Sequence, residues 1–165
     1  MSAKDKNLND LFFDTLKDIY YAEKQILKAL PKMAKAAHSG KLRAAFEKHH
    51  GETEGQVERL ERIFELIDKP ARGKTCEAIQ GLLEEGKEIM EEYKGTEALD
   101  AGLVAAAQAV EHYEIARYCT LKQWALQLGI KDAVRLLDQT LQEERKTDEA
   151  LTSLAEASVN LEAAA

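Results

Sequence analysis

Apolar residues recur at helical spacing over four long stretches of the chain, so the hydrophobic pattern predicts four long amphipathic helices. In the first stretch, Phe12, Ile19 and Ile26 fall on one face, because side chains about two turns apart lie above one another in a helix. Asn7 or Asn9 is predicted to cap the start of this helix. The four predicted helices cover residues 8–37, 41–67, 97–128 and 131–159.

The breaks between these helices predict how they are connected. Residues 38–40 and 128–130 are short breaks that each contain a glycine, so the first two and the last two helices each form an antiparallel hairpin. Residues 68–96 are long enough to cross the bundle. They contain a shorter, highly charged helical stretch at 76–93, which we expect on the outside of the core. Thr96 is predicted to cap the helix that follows.

Two helix hairpins joined by one long crossover describe a ferritin-like four-helix bundle. The predicted fold class is therefore all-α, with an extra short helix in the crossover. The chain contains only 2 prolines and 9 glycines, which agrees with a helical protein. Its 165 residues suit a single domain, residues 1–165, built around one core.

Each long helix carries an acidic side chain on or beside its apolar face, near its middle. His49 shares a helix face with Glu52 and Gln56. An unpaired buried carboxylate is costly, so this acidic layer requires either cationic side chains or metal ions as partners. The carboxylates of the layer are Glu23, Glu52, Glu111, Glu114, Glu144 and, at the edge of its face, Asp148.

Metal ions are the partners that the sequence favours. No lysine or arginine falls on the inward faces at this level, and Lys24, Arg117 and Arg145 lie beside the faces, where they can extend to solvent. Oxygen-rich ligation with one or two imidazoles suits iron or manganese. A protonated or cation-paired layer is the alternative. The predicted metal ligands are Glu23, His49, Glu52, Glu111, Glu114, Glu144 and Asp148.

Composition limits the partners and the compartment. The formal net charge of −7 argues against nucleic acid as a main partner. No stretch approaches the length of a membrane span, and the first residues lack the apolar segment of a signal peptide. Cys76 and Cys119 form no CxxC pair, so we expect two free thiols. We therefore expect a soluble cytoplasmic protein that binds neither nucleic acid nor membranes. We also expect it to form a homodimer.

Four blocks of the sequence resemble the YciE/YciF ferritin-like proteins. The resemblance extends over about residues 8–160. The blocks are residues 19–25 (IYYAEKQ), 49–59 (HHGETEGQVER), 111–116 (EHYEIA) and 143–148 (EERKTD). It implies a relationship to rubrerythrin and manganese catalase, and an association with bacterial stress.

The resemblance also implies a ligand pattern, from which this chain departs in two places. Ferritin-like bundles use a Glu-x-x-His motif on the second and fourth helices. Here Gly55 and Thr147 stand where the two histidines would be, and His49, Gln56 or Asp148 could replace them. One functional hypothesis is a di-iron or di-manganese oxidoreductase acting on peroxide or oxygen, with an external reductant for any peroxidase activity. The other is a non-catalytic bundle whose metal is structural or stored.

Overall fold

Helices account for most of residues 5–165, which the computed structural model describes. These residues form an all-α bundle, as the sequence predicts, and they contain no β-strand. Five helices are followed by a short π-helical segment, Ala155–Val159, and a final short helix, α6, Asn160–Ala164. The five helices are α1 (Leu8–Ala36), α2 (Gly40–Leu66), α3 (Glu77–Glu92), α4 (Leu99–Gln127) and α5 (Lys131–Leu154).

The helix ends show which local signals the fold uses. Asn7 caps α1 in a capping box with Asp10, as predicted. The prediction that Thr96 caps α4 is wrong, because that helix begins after Ala98 without a side-chain cap. The Thr96 hydroxyl instead donates to the Tyr93 carbonyl at 2.8 Å. Gly40 opens α2 rather than closing α1, and the Ser39 hydroxyl accepts a hydrogen bond from the third residue of α2.

Side-chain contacts confirm the two antiparallel hairpins. In the second hairpin, the Lys122 ammonium donates to Asp138 at 2.7 Å near the connecting loop, while Gln108 reaches Thr152 at 2.8 Å far from it. The α1–α2 pair has the same antiparallel arrangement. Across the bundle, the Asp100 carboxylate at the start of α4 accepts hydrogen bonds from the backbone N–H groups of His38 and Ser39 in the α1–α2 loop. Helices α2 and α4 therefore run in the same direction, as a long crossover requires.

The crossover helix α3 lies outside the four-helix layer, as predicted. It packs against α1 and α4, and its only buried members are Ile79 and Gly86. Within the bundle, apolar residues fill both ends of the core, and polar residues occupy the level between them. No helix among the described residues combines the length and the apolar character that crossing a bilayer needs.

Candidate metal centre

Four buried side chains from three helices form the centre of the polar layer. His49 from α2, Glu111 and Glu114 from α4, and Glu144 from α5 each place one potential ligand atom within 4.8 Å of the others. The two α4 glutamates are three residues apart, so one helix face presents both. The carboxylates of Glu114 and Glu144 are both fully buried, and the charge of Glu144 raises the pKa of Glu114.

Glu23 of α1 lies beside this group and is fully buried. The Tyr118 hydroxyl donates to Glu23 Oε1 at 2.5 Å, which fixes the orientation of the carboxylate. The other oxygen of Glu23 has no hydrogen-bond partner. Because Tyr118 belongs to α4, this hydrogen bond joins the second hairpin to Glu23 of the first.

The buried acceptors of this group lack donors. One oxygen of Glu111 and both oxygens of Glu114 and Glu144 have no hydrogen-bond partner. His49 Nε2 lies 2.9 Å from Glu111 Oε1. The two atoms are close enough for an ion pair, but both ring nitrogens of His49 lack a hydrogen bond of correct angular geometry. Buried polar atoms are nearly always satisfied in proteins, so these atoms require either protons shared between the carboxylates or a bound cation, and the group could hold a metal ion.

Cationic side chains do not neutralise this group in the part of the chain that the structure describes. No lysine or arginine within residues 5–165 forms an ion pair with any of the four buried glutamates. The three cations beside the inward faces have other neighbours: Lys24 lies over the Tyr20 ring, Arg117 over the Tyr113 ring, and Arg145 beside Cys119 Sγ.

Arg59 is the cation that approaches the layer, a contact that the sequence pattern did not predict. Its guanidinium binds Glu143 through two hydrogen bonds, of 2.8 and 2.6 Å, and donates to Thr140 at 2.9 Å. Gln56 also donates to Glu143, at 3.2 Å. The spacing of Gln56 and Arg59, three residues apart on α2, was the available signal, since such residues share a helix face. Arg59 is thus paired outside the centre and leaves the buried glutamates unneutralised.

Burial and mutual repulsion raise the pKa values of the four glutamates. Burial raises the pKa of Glu23 to about 7, and the charge of Glu144 adds to this effect. Burial likewise raises the pKa of Glu111 to about 7. Burial raises the pKa of Glu114 well above its ordinary value, and the charge of Glu144 adds to this effect. Burial also raises the pKa of Glu144 well above its ordinary value, and the neighbouring Glu111 adds to this effect. Without a cation, these groups therefore retain protons at pH values where a solvated glutamate is ionised.

Glu52 and Asp148 lie outside the compact group. Glu52 is half-buried, forms an ion pair with Lys48 at 3.0 Å and accepts a hydrogen bond from Thr147 at 3.3 Å. Asp148 lies 3.0 Å from the exposed His112. Of the seven predicted ligands, the structure therefore brings four together, places Glu23 beside them, and leaves Glu52 and Asp148 nearer the surface.

Comparison with known proteins shows which family the chain resembles. Residues 7–164 match the family described as a domain of unknown function, DUF892. Over 159 residues the chain is 46% identical to protein YciF of Escherichia coli strain K12, and the match covers 96% of each chain. The chain belongs to the YciF family.

Solved structures of YciF-family proteins and similar bundles confirm the fold. The crystal structure of the E. coli stress protein YciF has a TM-score of 0.90 and 46% identity, covering 94% of this chain and 98% of that one. YcfI of Rhodopseudomonas palustris, described as a candidate structural protein, has a TM-score of 0.89 and 44% identity, covering 93% and 98%. A protein from Xanthomonas campestris pv. campestris has a TM-score of 0.71 and 26% identity, covering 93% and 94%.

The donor set of this YciF-family bundle fits a metal ion. Carboxylate oxygens and one imidazole suit hard or borderline divalent ions such as manganese and iron. The two positions where the expected motif has histidine have other neighbours in this fold. A methyl group at Gly55 would lie 3.7 Å from the Arg59 guanidinium, which is an ordinary contact distance. Thr147 uses its hydroxyl to hold Glu52.

Proposed function

We propose that this YciF-family protein holds iron or manganese ions at the centre of its bundle, two at full occupancy. The observation that carries the proposal is the set of buried carboxylate oxygens without donors on Glu23, Glu111, Glu114 and Glu144. When ionised, these glutamates carry four negative charges. Two divalent ions would balance them, which no lysine or arginine of the described residues does.

The residues of the chain would divide the work between binding and orientation. His49 supplies an imidazole nitrogen, and the four glutamates supply oxygens. Tyr118 holds Glu23 in position through its 2.5 Å hydrogen bond. Burial keeps bulk water away from these groups. Iron or manganese bound there would supply redox chemistry toward peroxide or dioxygen. The description of E. coli YciF as a stress protein agrees with such an activity.

A non-catalytic bundle is the second candidate function. Two observations favour it: residues 55 and 147 are not histidines, and the similar YcfI is described as a candidate structural protein. In that case the ions would hold the helices together or be stored, with no turnover. Metal content and activity separate the two candidates.

The first experiment measures metal binding. The protein is stripped with a chelator, reconstituted with ferrous or manganous ion, and its metal content determined by mass spectrometry. We expect stoichiometric metal in the wild type. Glu144→Gln, which keeps the shape but removes a charge, is expected to lower metal affinity at least tenfold. Glu58→Gln, an exposed position on α2, is the matched control and is expected to bind like the wild type. Equal affinities in both variants contradict the proposed site.

The second experiment follows peroxide and dioxygen consumption by the loaded protein. Turnover that disappears in Glu144→Gln and persists in Glu58→Gln supports the oxidoreductase. Stoichiometric metal without consumption of either oxidant, in the presence and absence of a reductant, overturns the oxidoreductase and supports the structural or storage function.

A further inference from the structure

An apolar cavity lies next to the candidate metal centre. Its volume, counted as the space open to the centre of a water-sized sphere, is about 20 Å³, which is enough for one small molecule. His49 and Glu111 line one side, and both are buried with unpartnered polar atoms. Ile26, Met33 and Phe46 are among the apolar side chains of the other walls. The cavity therefore joins the metal centre to the apolar end of the core.

A surface groove between α1 and α3 shares a wall with this cavity. Ala29 and Leu83 line both, and both are only half-buried. A second groove, between α1 and α2, shares Leu30 and Phe46 with the cavity. Those two side chains are 4% and 2% exposed, so that wall is closed. The wall made by Ala29 and Leu83, here named the gate, is half-buried and borders the α1–α3 groove, whereas Ala45, the other half-buried residue of the lining, borders neither groove.

The helix that carries Leu83 has few buried residues. Helix α3 belongs to the crossover, and only Ile79 and Gly86 of its residues are buried. Segments with few buried contacts open locally at a lower free-energy cost than the core does. Small displacements of α3 relative to α1 would therefore open the gate without disturbing the four-helix layer.

The walls of the cavity select the chemistry of its ligand. A molecule with O–H groups, such as hydrogen peroxide, would lose hydrogen bonds to water and find as replacements only His49, Glu111 and the hydroxyl of Thr147, which already donates to Glu52. Dioxygen, an apolar molecule of two atoms, has no O–H group and loses no such hydrogen bonds on entering the cavity. We propose that the α1–α3 groove, the gate and the cavity form the access route of dioxygen to the metal centre. This inference rests on the proposed function, since it names the molecule that reaches that site.

Dissolved dioxygen itself is the probe, because its unpaired electrons accelerate the relaxation of nearby methyl groups in nuclear magnetic resonance. The metal-free protein is compared under nitrogen and under dioxygen. We expect the methyl groups of Ile26, Met33 and Leu151, which line the cavity, to relax at least twofold faster under dioxygen. Leu16 and Leu137, which are equally buried and do not line it, are the control methyl groups. Equal responses of both sets overturn the proposal.

Variants of the gate test the route. Leu83→Phe is expected to reduce the dioxygen effect on the cavity methyl groups at least twofold, and Leu83→Ala to increase it. Leu82→Phe is the matched control, since Leu82 is half-buried on the same helix and lines neither the cavity nor the groove. Leu83→Ala keeps the test decisive if the larger side chain impairs folding. Identical effects of Leu83→Phe and Leu82→Phe, with no increase in Leu83→Ala, contradict the gate.

The loaded protein separates this inference from the proposed function. In ferrous protein, Leu83→Phe is expected to slow oxidation by dioxygen several-fold relative to Leu82→Phe. A methyl response in protein that binds no metal overturns the proposed function and leaves the gas cavity supported. Metal binding without any methyl response overturns the access route and leaves the metal centre supported.

Discussion

At the scale of single residues, the hydrogen bond between Tyr118 and Glu23 shows how the candidate centre is ordered. Both side chains are fully buried, and the hydroxyl donates to one carboxylate oxygen at 2.5 Å. The other oxygen has no partner. One oxygen of the carboxylate is therefore satisfied by the fold, and the other is available to the proposed metal ion.

Removing this hydroxyl tests its contribution. In metal-free protein at pH 8, we expect Tyr118→Phe to lower the free energy of unfolding by about 1.5–3 kcal/mol, because a buried carboxylate loses its donor. Tyr21→Phe removes an exposed hydroxyl that accepts from Gln80 at 2.8 Å, and it is expected to cost less than about 0.5 kcal/mol. Urea denaturation measures both. Equal losses would mean that Tyr118 does not stabilise Glu23.

Helix periodicity predicted which carboxylates point inward, but not what each one meets. Glu23, Glu114 and Glu144 lie on apolar faces, where the phase of the helix alone buries them, and Glu111 is buried although it lies at the edge of its face. Glu52 and Asp148 lie at the edges of their faces, where a rotation of the side chain decides between the core and the surface. Their positions depend on Lys48 and His112, and such neighbours cannot be inferred from spacing.

At the scale of helices, two glycines give a matched pair of tests. Gly55 lies inside α2, where a methyl group would meet only Arg59, at 3.7 Å. We expect Gly55→Ala to raise the free energy of unfolding by up to about 1 kcal/mol, since alanine favours the helix. In Gly102→Ala on α4, the new methyl group would lie 2.5 Å from Ile89 Cγ2 of α3.

The branched Ile89 side chain has little freedom to move away from that methyl group. We therefore expect Gly102→Ala to lower the free energy of unfolding by about 1 kcal/mol despite the same gain in helix propensity. Thermal and urea unfolding of both variants provide the comparison. Stabilisation by Gly102→Ala would show that α3 shifts freely against α4.

The helix ends show the limit of local sequence signals. The Asn7 cap of α1 was predictable because its partner Asp10 is three residues away in the chain. The start of α4 was not, because the loop before it closes through the Thr96–Tyr93 contact and leaves Ala98 at the helix boundary. The order and direction of the helices could be predicted from the loop lengths, which do not depend on how α1 and α4 are capped.

At the scale of the whole molecule, the bundle brings four carboxylates from three helices into one buried layer. Burial of the apolar residues at both ends of the core stabilises the folded state. The four carboxylates destabilise it, because they repel one another and lose their hydration. Binding of protons or metal ions reduces this cost. The stability of the whole fold is therefore linked to pH and to metal in a way that a bundle with an apolar centre would not show.

We expect the metal-free protein to become less stable as the pH rises from 5.5 to 8. The pKa of Glu23 and of Glu111 is about 7 in the fold, compared with 4.5 for an unfolded glutamate. Between these values the folded state binds more protons, so stability is present at low pH and is lost as the pH rises through 7. Each group contributes on the order of 3 kcal/mol at most. Urea denaturation at several pH values measures the slope.

The same measurement on metal-loaded protein should have the opposite slope, because the ions bind only deprotonated carboxylates and so stabilise the fold more at pH 8 than at pH 5.5.

Glu114→Gln removes one buried carboxylate and is expected to flatten the slope of the metal-free protein. Glu52→Gln, at a half-buried residue paired with Lys48, should preserve it. A metal-free protein whose stability rises over this range would show that the glutamates are solvated or already neutralised. In that case the acidic layer would have no need of a metal.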